Sequence, residues 1–132
     1  MPQGREAPGS ARDWLARARG DLALAESPLP PGAFLEDLCF HAQQAAEKAL
    51  KAIYRHRGWT FRYVHDLEEL LTGLKTQGLL VPPELEDSIT LTSFAAEFRY
   101  PGLGEQVTRE EYEEAVRQAQ AVVKWAEKEM QS

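Results

Sequence analysis

A chain of 132 residues, 43% of them hydrophobic, is one domain's worth and can bury a core of its own without staples. Its formal net charge of −6 and pI near 5.1 exclude a general nucleic-acid coat, because phosphate binding needs a positive footprint; only a local patch could serve. The single cysteine, Cys39, excludes an intrachain disulfide and a thiolate metal cluster; with no His-x-x-x-His or Glu-x-x-His spacing either, no metal is expected, and no cofactor.

Residues 1–10 carry Pro, Gly and Ser, with scarcely any apolar content and no apolar core of a signal peptide. They read as a disordered tail, followed by a single helical domain over 11–130. No later run is long enough to span a bilayer, so a cytoplasmic chain without membrane contact is expected. From Ala11 to Ser27, Trp14, Leu15, Ala18, Leu22 and Ala25 recur at helical spacing and predict the first helix. Gly20 inside it costs about 1 kcal/mol relative to Ala and is read as a close packing point. Pro28-Leu29-Pro30-Pro31-Gly32 then forbids continuation.

The stretch Phe34 to Arg57 contains almost only strong helix formers and no breaker, which predicts a long second helix. Leu35, Leu38, Cys39, Ala42, Ala46, Ala49 and Ile53 fall on one stripe, rich in alanine and open to close approach by a neighbour. His41, Gln44, Lys48, Lys51 and Arg55 form a narrow polar stripe roughly opposite, with no carboxylate inside it. Such a stripe is read either as a solvated face or as a ligand-facing one.

Residues 57–64 alternate aromatic and polar side chains; a lone strand would have no partner here, so an extended aromatic-rich connector is expected. Asp66-Leu67-Glu68-Glu69 carries a capping signal for a short third helix ending near Gly78. Pro82-Pro83 opens a predicted fourth helix that runs to Arg99. On α-helical spacing, Leu85, Ile89, Thr92 and Ala96 share one side while Leu91, Phe94 and Phe98 project from another. An apolar arc that wide needs two sets of neighbours, and the second is expected to be another subunit, giving a homodimer with the phenylalanines at its interface. Thr108-Arg109-Glu110-Glu111 is a capping box for a fifth helix along Tyr112, Ala115, Val116, Ala119, Val122, Val123 and Ala126.

Phe40-His41-Ala42-Gln43-Gln44-Ala45-Ala46-Glu47-Lys48-Ala49-Leu50-Lys51, then His65-Asp66-Leu67, then Phe98-Arg99-Tyr100-Pro101-Gly102 together resemble the HEPN domain. This is a family of small helical prokaryotic proteins often encoded beside a minimal nucleotidyltransferase, and the resemblance covers roughly residues 11 to 130. It implies an all-α, up-down bundle of four to five helices, a homodimer or higher oligomer, and a toxin–antitoxin-like or nucleotide-handling role with that nucleotidyltransferase as partner. The family's arginine matches Arg99. In its RNase-active branch a histidine follows after four to six residues, and the pairs of two subunits make a composite ribonuclease site at the dimer interface. Here Tyr100, Pro101, Gly102, Leu103, Gly104, Glu105, Gln106 and Val107 follow instead. Arg99 stays protonated and cannot act as the base, so a non-catalytic partner is preferred. The missing His-x-Tyr extension also removes the tyrosine that the nucleotidyltransferase modifies in some relatives.

The expected binding residues are His41, Gln44, Lys48, Lys51, Arg99 and Tyr100. Arg99 and Lys48 would take phosphate, and His41 or Gln44 the sugar or base; the alternative is that Arg99 caps its own helix and pairs with Glu47. His65 is expected to pack or cap at the third helix. Arg55, His56, Arg57, Trp59, Phe61 and Arg62 could stack the bases of an RNA or pin the connector to the bundle. For the ribonuclease alternative, His41, His56 or His65 would have to replace the missing motif histidine.

Overall fold

The computed structural model describes residues 6–95 and 107–131, and among them every regular element is helical. In chain order these are α1 (Ala11–Glu26), α2 (Leu35–Arg57), α3 (Leu67–Thr76), a 3₁₀ helix (Pro83–Phe94) and α4 (Arg109–Glu129). The molecule is an all-α bundle, as the periodicity predicts. Arg99, Tyr100 and Phe98 lie outside the described residues, as do residues 1–5 of the expected tail.

The ends of the helices follow their local chemistry. The Ser10 hydroxyl accepts from the Asp13 amide at 3.1 Å and caps α1. Asp66 accepts from the amides of Glu68 and Glu69 at 2.9 and 3.4 Å. Thr108 and Glu111 close a reciprocal capping box, with bonds of 2.9 and 3.1 Å, each satisfying an amide that the first turn leaves open. Gly58 ends α2 at φ 74°, a left-handed position that suits glycine.

The middle helix, α2, is surrounded: no residue from 35 to 54 is exposed. Its alanines at 42, 45, 46, 49 and 52 are fully buried, and their small side chains let α1 and α4 approach from different sides. Helix α1 runs antiparallel to α2, since Trp14 meets Lys51 while Asp21 meets His41. Helix α4 is antiparallel to α1 as well: the Tyr112 hydroxyl donates to the Ala25 carbonyl at 2.5 Å near one end, and Arg19 pairs with Glu127 near the other. Helix α3 covers the C-terminal half of α2 with Leu67, Leu70, Leu71 and Leu74, all buried.

The predicted fourth α-helix is the main correction. Over Pro83–Phe94 the backbone winds three residues to the turn. Leu85, Ser88 and Leu91 are buried, while Glu84, Asp87, Thr90 and Ser93 are exposed. The wide apolar arc deduced from α spacing therefore does not exist over these residues, and Phe94 packs on this chain's own core. Side-chain chemistry explains the change. Ser88, Thr90 and Ser93 each donate a hydroxyl to the carbonyl three residues back, at 2.6, 2.9 and 3.0 Å. Hydroxyl and β-branched residues in a row are poor α formers and compete for backbone groups. Thr92 Oγ1 additionally accepts from the Leu67 amide at 3.1 Å, tying the segment to α3. Twelve residues of 3₁₀ helix is long against the usual three or four, and tertiary bonds of this kind are what sustain it.

Gly20 is a second correction. It is exposed, and a Cβ built there meets nothing within 4 Å, so it is not a packing point. Gly20→Ala is expected to stabilise the protein by about 0.5–1 kcal/mol through helix propensity and a less flexible unfolded chain; a urea titration checks this.

Cys39 lies in the α2 core, and burial, reinforced by Glu36 and Glu111, pushes its thiol from an ordinary 9.0 up to about 12. Between those values the unfolded thiol ionises while the folded one keeps its proton, so folding stability is complete below pH 9 and falls as pH rises. The slope from one such group reaches about 1.4 kcal/mol per pH unit. Burial raises the Tyr54 and Tyr112 phenols too, with the same sign. Cys39→Ala should flatten the alkaline slope that begins near pH 9 in denaturant titrations run across pH. Native Cys39 should also resist alkylation until the protein unfolds.

Candidate functional site

The polar side of α2 is built around two carboxylates. Asp21 of α1 is buried and accepts on both oxygens: Oδ1 lies 2.9 Å from His41 Nδ1, and Oδ2 lies 2.6 Å from Lys48 Nζ. Glu47, of α2 itself, is only 3% exposed. Its Oε2 pairs with Lys51 Nζ at 2.7 Å. Its Oε1 meets Gln43 Nε2 at 2.8 Å and His65 Nδ1 at 2.9 Å. Gln44 extends this cluster by donating to Gln43 Oε1 at 2.7 Å.

A carboxylate oxygen accepts, so His41 and His65 meet Asp21 and Glu47 as Nδ1–H donors. Each cluster sets one carboxylate against one lysine ammonium. From His41 to Lys51 the polar stripe is therefore neither a plain solvated face nor a free positive one, since both of its lysines are paired within the bundle; Arg55, at its end, is exposed.

Among the described residues Lys51 is the most enclosed cation, at 4% exposure. Besides Glu47, its ammonium lies 5.5 Å from the ring centres of Trp14 and Phe61 and 5.7 Å from that of Tyr63. Such cation–π contacts are stronger where water is excluded. They also tie the connector, residues 58–66, to α1 and α2 through one ammonium. Trp14 Nε1 is the one buried side-chain polar atom without a partner among the described residues.

The expected site residues thus separate into two sets. His41 and Lys48 meet on Asp21, whereas Gln44 and Lys51 belong to the Glu47 cluster. Arg99 and Tyr100 fall outside the described residues. His65 does not cap α3: its Nδ1 reaches back to Glu47, while Asp66 caps the helix. Trp59 and Phe61 pack against the core, as pins of the connector. Sequence reasoning misses the two carboxylates central to this geometry. Asp21 carries a legible signal, because it lies on the same α1 face as Trp14, Ala18 and Ala25, an acid inside an apolar stripe. Glu47 enters the sequence reading only within the block that carries the family resemblance and as a possible partner for Arg99. Among the described residues no three of His, Cys, Asp and Glu converge as a metal site, and no helix is long and apolar enough to cross a membrane.

Fold and site together define a class: a small all-α bundle whose central helix is cross-braced by buried carboxylates. The model of the HEPN domain family matches residues 11–129, and the chain belongs to that family. Two solved structures are similar to it. TT1696 from Thermus thermophilus is 34% identical with a TM-score of 0.79, covering 92% of this chain and 98% of that one. ST0689, an archaeal HEPN homologue, is 26% identical with a TM-score of 0.71 and the same coverage. No curated protein matches the chain.

Proposed function

We propose that this chain is the non-catalytic HEPN partner of a minimal nucleotidyltransferase, acting in the cytoplasm as a homodimer or higher oligomer. In this reading the edge formed by His41, Gln44 and Lys48, completed by Arg99 and Tyr100, contacts a nucleotide or the partner's surface. The observation that carries it is the neutralisation of both α2 lysines by Asp21 and Glu47. A surface that cleaves RNA must attract a polyanion, and these lysines have little positive potential left to do so. The sequence after Arg99 adds no histidine to move a proton. The reading is tested by purifying the tagged chain from its native host. A minimal nucleotidyltransferase should copurify, and recovery of the chain without one overturns the proposal. Calorimetry with nucleoside monophosphates on wild type and Arg99→Ala tests the site itself; heats that the variant leaves unchanged rule Arg99 out of it.

One observation favours a second reading, a metal-independent ribonuclease. His41 is held through Nδ1 by a buried carboxylate, the arrangement that fixes an imidazole for proton transfer at Nε2, and its side chain keeps 33% exposure. RNA cleavage by the wild type, lost in both His41→Ala and Arg99→Ala, would establish this reading in place of the first.

A further inference from the structure

Residues 55–65 contain three arginines, two histidines, three aromatic residues and no carboxylate, in a chain whose net charge is −6. The structure distributes these side chains unequally. Arg57 is taken by Glu129 at 3.2 Å, and His65 by Glu47. Trp59 and Phe61 face inward. Tyr63 does not: it is 77% exposed, although its ring stands edge-on to Phe61 at 5.4 Å. Phe61 in turn stands edge-on to Trp14 at 5.9 Å and to Tyr54 at 5.7 Å. A series of rings therefore leads from the core to an open aromatic at the surface. Over Phe61, 4.7 Å from its centre, sits the Arg55 guanidinium, which has no carboxylate partner among the described residues. Arg62 pairs with Glu69 at 3.3 Å, but its side chain is 78% exposed, and an ion pair that open to water is readily exchanged for another anion.

From this arrangement we propose that the connector is a nucleobase–phosphate binding edge distinct from the His41–Gln44–Lys48 edge: a base stacks on the exposed side of Tyr63, and its phosphate is held by Arg55 and Arg62. The chemistry of the ligand follows from the parts. An exposed phenol ring anchored from behind offers a flat surface that any base can cover, and two guanidinium groups near it along the chain, Arg55 over the adjoining Phe61 ring and Arg62 in an exposed, exchangeable pair, select an anion. A purely structural connector uses Tyr63 for its contact with Lys51 and Arg55 for its contact with Phe61, but it has no need to leave the Tyr63 ring 77% exposed. This edge goes beyond the role proposed above and stands whether or not a nucleotidyltransferase copurifies.

The test is fluorescence anisotropy of a 5′-fluorescein-labelled oligouridine ten-mer titrated with the full chain at low salt, with unlabelled uridine monophosphate as competitor. Saturable binding is expected. Tyr63→Ala should weaken it by about tenfold and Tyr63→Phe should restore it, because stacking needs the ring and not the hydroxyl. Arg55→Gln should reduce the slope of log K against log salt by about 0.7, the contribution of one phosphate contact to a single strand. Competition by the monophosphate assigns the edge to free nucleotides; failure to compete, with the strand still dependent on Tyr63, assigns it to single strands. Thermal melts matching the wild type would show that the variants fold. Absence of saturable binding, or Tyr63→Ala and Arg55→Gln curves that superimpose on the wild type, overturns the proposal.

Discussion

Glu47→Ala is expected to lower the unfolding free energy by about 3–5 kcal/mol, the typical cost of leaving a buried ion without its counter-charge. The substitution strands Lys51, whose ammonium is buried against three rings. Aromatic faces attract a cation but cannot neutralise it, so the remaining choices are to open the connector to water or to give up the proton. It also removes the acceptor of Gln43 and His65. A second variant separates these losses. In Glu47→Ala/Lys51→Met no buried charge remains and an apolar chain keeps the contact with the rings, so most of the lost stability should return. Urea denaturation of the wild type, the single and the double variant measures both steps. A single-variant loss below about 1 kcal/mol, the range of a solvated surface pair, would show that Glu47 and Lys51 are not the buried brace described.

Gly73→Ala is expected to destabilise by about 1–3 kcal/mol, although the same exchange inside an exposed helix normally gains up to about 1 kcal/mol. A Cβ on Gly73 would overlap the Tyr54 hydroxyl and come within 3.2 Å of Cζ. That hydroxyl is itself committed, donating to the Leu70 carbonyl at 2.6 Å. The ring cannot retreat without losing this bond and opening the α2–α3 contact. Tyr54→Phe on the Gly73→Ala background removes the overlapping oxygen, so it should recover part of the loss while costing the wild-type background its hydrogen bond. The opposite sign expected for Gly20→Ala makes the pair a direct test of the packing: two mid-helix glycines, one facing open space and one facing a buried phenol.

The two glycines also mark how far the sequence can be read. Each is a glycine in a helical pattern, and propensity treats them alike; what a Cβ would meet is a property of the neighbouring element. The 3₁₀ helix is a subtler case. Its three-residue alternation is present in Leu85, Ser88 and Leu91 against Glu84, Asp87 and Thr90, but the same apolar residues also fit an α-helical template with a wide arc. The hydroxyls at 88, 90 and 93 are the local signal against the α reading. Their consequence reaches further than the helix type, because the expected dimer interface rests on that arc.

For the candidate site, the sequence supplies the stripe of His41, Gln44, Lys48 and Lys51 but not its electrostatic state. Charge counted along that stripe alone gives an unpaired positive row; the carboxylate that cancels part of it arrives from α1, at Asp21, and only antiparallel packing brings the two together.

What the sequence determined by itself is what depends on short-range chemistry. The four α-helices follow from periodicity of apolar residues, two of their starts from Asp66 and the Thr108–Glu111 box, and the connector from aromatics without a strand partner. Membership in the HEPN family was likewise written in spaced residues along one chain. The tertiary structure decided everything that depends on which side chains share a space. Asp21 and Glu47 became the counter-charges of Lys48 and Lys51, Trp14 joined Phe61 and Tyr63 around an ammonium, and Tyr63 was left outside. The physical reason is that burial turns a charge from a solvated ornament into a demand for a specific partner, and only the packing of one helix against another determines which charges are buried.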